Sequence, residues 1–264
     1  MLGIKLANNI CLLGMKMNQI NKINDIDKIN LKVFNSEFNK RDSYEQKHSF
    51  FDECYFTNGK LSGKSLYENY RWLPELSYSL AKAICSFTKI SFDDVVLDFG
   101  CARGYLVRAL NEIGIKSFGL DVSKYAIANC DQSIKKKLFL IEDETLEDAC
   151  KKLGTGKVDW IIAKDVFEHI KPNILYKKLC EASQLGTNMY VLVPLGDFGI
   201  YRISDYELDA SHIIAENEKW WFDIFNSANF IVKEFHHKVN GIKESALPLH
   251  KNGNGHFILE PLKK

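Results

Sequence analysis

Short apolar runs alternate with stretches of helical periodicity through the middle of the chain. The runs cover residues 95–99, 117–120, 138–141, 160–163 and 189–193 and are rich in Val, Ile and Leu. Runs without an alternating polar face, separated by helical segments, predict a parallel sheet covered on both sides. Pro74 opens a segment in which Leu76, Leu80, Ala83, Ile84 and Phe87 recur at helical spacing, which predicts an amphipathic helix leading into the first strand. Further helices are expected over 106–113 and 219–228, and two more strands over 231–239 and 256–260. The fold class this implies is α/β: a Rossmann-like, seven-stranded, mostly parallel sheet with helices on both faces.

Two segments depart from the rhythm. Residues 1–48 are rich in Asn, Lys, Asp and isolated Ile and are expected to form a polar arm outside a domain spanning 49–264. The mildly apolar start is broken by Asn8 and Asn9 with no small-residue cleavage site after it, so a non-secretory leader is expected. After the fifth strand a polar, Tyr-containing insert runs over 195–217, at the carboxyl edge of the sheet where ligands of this architecture collect.

Composition narrows the partners. With 35 basic and 34 acidic side chains the formal charge is +1, without the basic excess that phosphate backbones attract, so nucleic acid is not an expected partner. The seven cysteines are scattered singly, which argues against a disulfide framework or a structural zinc site and for a reducing cytoplasm. No apolar run approaches the length of a membrane span. The oligomeric state is not readable.

The chemistry concentrates after the first strand. Asp98-Phe99-Gly100-Cys101-Ala102-Arg103-Gly104 ends a buried strand in an acid and turns into a helix. Glycines allow backbone to approach a ligand, but the spacing is not the G-x-G-x-x-G of a dinucleotide site, and an acid would repel a phosphate. It suits a cationic ligand such as an ammonium. Asp121 closes the second strand, at a distance from the turn that matches an acid accepting ribose hydroxyls. Each acid also has a plain reading as the cap of its following helix.

These residues resemble the first motif of the class I S-adenosylmethionine-dependent methyltransferases, approximately D-x-G-C-G-x-G. Asp98, Gly100, Cys101 and Gly104 match, and Ala102 replaces the middle glycine. Glu142-Asp143-Glu144 resembles the loop that meets the adenine, and Asp165-Val166-Phe167-Glu168-His169 resembles the D-V-L-E-H motif beside the cofactor. The resemblance implies S-adenosyl-L-methionine as cofactor, with Asp98, Gly100, Cys101, Ala102, Gly104, Asp121, Val122, Asp143 and Asp165 around it. Aromatic faces attract sulfonium ions, so Tyr67, Tyr70 and Trp72 are expected to wall the methionine end.

Within the insert, Asp209-x-Ser211-His212 resembles the D-x-[ST]-H element of methyltransferases acting on sugars and surface glycans. It implies O-methylation of a small polar acceptor, a sugar or nucleotide-linked sugar of surface polysaccharide. Tyr201, Asp209 and His212 would contact the acceptor, with His212 oriented by Asp209 as first candidate base and His169 as second. N-methylation of a small metabolite and a non-catalytic nucleoside-binding module are the alternatives. With no His/Asp/Glu cluster at metal-ligand spacing and Asp165 with Glu168 alone a weak pair, metal-independent chemistry is expected.

Overall fold

A computed structural model describes residues 49–142, 144–244 and 250–262. The expected arm over 1–48 lies outside the described residues. Two short helices, α1 (Glu53–Thr57), which carries Tyr55 and Phe56, and α2 (Gly59–Ser62), precede α3 (Pro74–Thr88). The repeating unit then begins: β1 (Val95–Phe99), α4 (Tyr105–Glu112), β2 (Lys116–Asp121), α5 (Lys124–Ala128), β3 (Leu138–Leu140), α6 (Leu146–Lys152), β4 (Trp160–Lys164), α7 (Pro172–Gln184) and β5 (Asn188–Pro194). A small hairpin follows, β6 (Gly196–Asp197) and β7 (Ile200–Tyr201), then α8 (Glu218–Ser227), β8 (Phe230–His236) and β9 (Asn254–Pro261).

Seven strands form one sheet in the order β3-β2-β1-β4-β5-β9-β8. Pairs among β1 to β5 are parallel, while β9 runs antiparallel to both β5 and β8. The expected seven-stranded, mostly parallel sheet is what the chain forms. Because β1 pairs with β2 on one side and β4 on the other, the chain reverses its direction of travel between β1 and β4. The carboxyl ends of these strands open into a crevice there.

Both sheet faces are covered. Ala81 and Ile84 of α3 and Leu110 of α4 pack with Val96, Ile162, Tyr190 and Ile258 on one face. Alternation puts Phe257 on the other, where Phe222 and Phe225 of α8 meet it edge-on with ring centroids 5.6 and 5.2 Å away. β1, β4 and β5 are buried nearly end to end, which explains why they read as unbroken apolar runs.

Boundaries shift where hydrogen bonding overrides apolar pattern. The strand expected to reach Val239 stops at His236; Val239 instead pairs with Ile242 across a tight turn. The insert is ordered by its own elements, the β6–β7 hairpin and a 3-10 turn over Ser204–Leu208, not an irregular loop.

Candidate active site

The turn after β1 is built by backbone. The N–H groups of Gly100 and Cys101 both donate to the Leu120 carbonyl, at 2.8 and 3.0 Å, folding the chain across the end of β2. Gly100 has φ 79°, and a Cβ there would come within 2.4 Å of the Val166 side chain. Gly104 starts α4 at φ 77° and presses against Leu138, which a Cβ would meet at 2.4 Å. Both positions therefore require glycine. Ala102 also sits in the left-handed region, at φ 49°, where an L side chain is strained.

Over this turn lies a cavity of about 270 Å³. Gly100 and Ala102 form its floor, Asp121 and Val122 one side, and Asp165, Val166 and His169 the other. Phe51, Tyr55, Phe56 and Tyr67 roof it. The aromatic roof is fastened to the sheet edge by a 2.5 Å bond from the Ser123 hydroxyl to the Phe51 carbonyl. It is braced internally by Ser65, whose hydroxyl donates to the Tyr55 carbonyl at 2.6 Å.

Asp121 is the anchor of the cavity side. Its oxygens accept from the Ala102 N–H at 2.6 Å and the Ser123 N–H at 2.7 Å. The Val122 N–H adds a third backbone contact, so of the about four lone-pair sites of a carboxylate one is left for a hydroxyl donor. Burial raises its pKa to about 6, with the backbone N–H groups of Ser123 and Ala102 pulling the other way. Asp98 is buried beneath the turn and does not line the cavity; burial raises its pKa to about 7, against the opposing charge of Lys164.

The remaining expected cofactor residues divide. Tyr67 and Asp165 line the cavity. Tyr70 is off it, stacked on Tyr105 at 5.0 Å, and Trp72 lies farther out with the Arg108 guanidinium 4.3 Å over its ring. Cys101 joins an apolar cluster with Val107, Cys130, Ile134 and Leu138, while Gly104 serves helix packing. Asp143 lies outside the described residues, and its neighbour Glu142 reaches the cavity.

Asp165 follows β4 at φ 55° and is clamped between Lys164 at 2.6 Å and Lys243 at 2.5 Å. Burial alone would raise its pKa, but the two ammonium groups overrule it and hold the carboxyl ionised. Glu168, three residues on, is the opposite case. It is 1% exposed, and neither carboxylate oxygen has a hydrogen-bond partner. Burial and the nearby charge of Asp165 push its pKa well up.

The insert delivers its histidine to this carboxyl. The N–H groups of Ile213 and Ile214 donate to the Glu168 backbone carbonyl at 2.8 and 3.1 Å, leaving the His212 Nε2 at 4.0 Å from Glu168 Oε1. Asp209 does not orient His212 as the sequence suggested. The His212 Nδ1 sits 2.8 Å from the Tyr206 carbonyl oxygen, while Asp209 accepts from Ser211 at 2.5 Å and from the Tyr55 hydroxyl at 3.1 Å. Ser211 in turn meets the His169 Nδ1 at 2.8 Å. Asp209 therefore orients His169, through Ser211. Burial holds both imidazoles below their ordinary pKa, and for His212 the neighbouring His169 adds to this. His169 lines the cavity; His212, Asp209 and Tyr201 stand behind it, and the Tyr201 hydroxyl is spent on the Ile214 carbonyl at 2.8 Å.

No site role was expected for Lys243, Phe51, Tyr55 or Ser211. Only Ser211 lay inside a motif; Lys243 reaches Asp165 from 78 positions away and leaves no local signal.

Residues 97–185 match a family described as methyltransferase domain. Among solved structures, a SAM-dependent methyltransferase from Archaeoglobus fulgidus is 18% identical, with 71% of this chain and 94% of that chain covered at a TM-score of 0.52. A putative methyltransferase of Haloferax volcanii, in complex with the Trm112 methyltransferase activator, is 15% identical over 72% of this chain and 91% of that one, with a TM-score of 0.53. At these identities the two structures establish the shared fold. No curated protein matches the chain significantly. The cavity fits S-adenosylmethionine: a backbone cradle closed to side chains at Gly100, a backbone-anchored acid at Asp121 on its wall, and aromatic side chains lining it. Residues 97–185 therefore carry a methyltransferase domain that begins at this turn, within a fold shared with SAM-dependent methyltransferases.

Proposed function

We propose that the chain methylates a hydroxyl of a small polar acceptor, a sugar or nucleotide-linked sugar, brought against His169 by the insert over 195–217. The observation that carries this is the anchored imidazole of His169 on the cavity wall opposite Asp121. The acceptor class rests on the likeness of Asp209-x-Ser211-His212 to the element found in sugar methyltransferases.

Bound cofactor supplies a methyl group made electrophilic by the attached sulfonium. The protein's part is alignment and proton removal. Asp121 would face the ribose hydroxyls with its remaining acceptor capacity, and the carboxyl of Asp98 would place negative charge under the amino-acid end. Tyr67 and Phe51 offer aromatic faces to the sulfonium side. His169 would take the acceptor hydroxyl's proton at Nε2 as that oxygen receives the methyl group the bound cofactor supplies. Neutral imidazole is the competent form, and burial keeps it neutral near pH 7.

The test is kcat together with cofactor affinity for His169→Asn, with an acceptor found by screening nucleotide sugars for labelled methyl uptake. Loss of a positioned base should lower kcat by about 100- to 10,000-fold while the cofactor Kd stays within about threefold. Full turnover in His169→Asn would instead point to an amine acceptor, which needs no base.

A further inference from the structure

We infer that Glu168, His169 and His212 form a binding site for a first-row divalent transition cation at the edge of the cofactor cavity. The inference deepens the proposed function and rests on it for the role of the site, though not for its existence. Each of the three residues brings one ligand atom to within 4.8 Å of the others. The two halves come from distant parts of the chain, Glu168 and His169 from the turn after β4 and His212 from the insert. The paired bonds of Ile213 and Ile214 to the Glu168 carbonyl hold them together.

Three features distinguish this cluster from ordinary core histidines. First, Glu168 is almost wholly buried, yet both its oxygens lack a hydrogen-bond partner. A buried carboxyl without partners is costly, and coordination to a cation is one of the few ways to satisfy it. Asp165 provides the contrast, since both its oxygens are committed to lysines.

Second, both imidazoles have Nδ1 tied down. His212 Nδ1 faces the Tyr206 carbonyl oxygen, which only accepts, so that nitrogen carries the proton and Nε2 carries the lone pair. Ser211 gives its own proton to Asp209, so its oxygen accepts from His169 Nδ1–H and leaves the His169 Nε2 lone pair open. Metal-bound histidines show this arrangement, one nitrogen donating to a carbonyl or a carboxylate-linked group and the other on the metal. Third, the rings stand close, with centroids 4.7 Å apart at an angle of 52°.

Two imidazoles and one carboxylate favour Zn²⁺, Fe²⁺, Co²⁺ or Mn²⁺ over Ca²⁺ or Mg²⁺, and three protein ligands leave positions open. Ligand distances of about 2.0–2.2 Å to a central ion would need the present spacing to contract by rotation of the side chains. With a cation on His169 Nε2 that nitrogen no longer takes the acceptor's proton; an ion beside the cavity would instead hold the acceptor oxygen and acidify its hydroxyl, the proton passing to solvent, which replaces the base role of the metal-free imidazole.

The full-length chain, stripped with chelator, is titrated with Mn²⁺ followed by the free-ion paramagnetic resonance signal and with Zn²⁺ by calorimetry, without cofactor or acceptor. One ion per chain should bind, Glu168→Gln and His212→Gln should each weaken it at least tenfold, and Ser211→Ala should weaken it by roughly 10- to 100-fold. Retained cofactor binding and an unchanged circular dichroism spectrum show that the variants fold. Should they not fold, Co²⁺ absorption of the wild type reports imidazole ligation directly. Absence of stoichiometric binding, or binding indifferent to Glu168→Gln and His212→Gln, overturns the site. A loss of turnover in His169→Asn together with no metal binding removes the metal and keeps the proposed function. Stoichiometric metal in the wild type, together with normal turnover in His169→Asn, keeps the site and removes that function.

Discussion

Asp98 is a carboxyl that the folded chain makes hard to ionise, for burial lifts its pKa from 3.8 to about 7. Between these values the folded state holds a proton that the unfolded chain has released, so stability falls as pH rises from about 4 to about 7. Asp98→Asn removes the titration. In cofactor-free protein the Tm of the variant should exceed that of wild type at about pH 8, and the advantage should vanish near pH 3, below both pKa values. Its cofactor affinity should fall at least tenfold if the carboxylate faces an ammonium, about the loss of one charge-assisted contact. Thermal melts across that range check the first point, and a Tm difference independent of pH would contradict it. Asp98 and Asp121 were legible in the sequence because a strand-end acid beside a glycine turn is a local pattern. Ala102 was legible as a departure from the motif, and its strained φ of 49° is the structural form of that departure. The partners that set the charge of Asp165 and the orientation of His169 were not legible, since they come from the far side of the fold.

The five parallel strands were readable because each is buried on both faces, and their apolar runs carry that burial directly. The β6–β7 hairpin was not readable. It has two residues per strand, too few for a period to show. Its order comes from Arg202, which takes Asp197 at 2.7 Å and Glu218 at 2.5 Å and also donates to the Asn252 carbonyl at 2.9 Å. Arg202 therefore ties the hairpin, the start of α8 and the turn before β9 into one unit. Replacing it with Met should loosen the insert that holds His212 against Glu168. We expect Arg202→Met to lower Tm by a few degrees, about 2–4 °C per kcal/mol for a domain of this size, and kcat by at least tenfold. Cofactor affinity should stay near that of wild type, because none of these groups lines the cavity. Equal losses of cofactor binding and turnover would show that the insert supports the cofactor instead.

Across the whole molecule the strand order β3-β2-β1-β4-β5-β9-β8 places the crevice between β1 and β4, and every group of the candidate site converges there. The sequence announced a seven-stranded, mostly parallel sheet, but not which strand would be antiparallel. That is decided by long-range pairing of β9 with β5 and β8. Nor could one-dimensional spacing bring Glu168 and His212 together, since only the closed sheet sets the insert over the turn after β4. No described helix is long and apolar enough to cross a membrane. The central claim is that the cavity over the Gly100 turn binds S-adenosylmethionine with Asp121 as its ribose anchor. Calorimetric titration of the cofactor into wild type and Asp121→Ala tests it most directly. One-to-one binding to the wild type and a loss of at least 30-fold in the variant, about 2 kcal/mol, the scale of one hydrogen bond to a charged group, is the predicted result. The same affinity in both proteins, with Asp121→Ala folded, would contradict it.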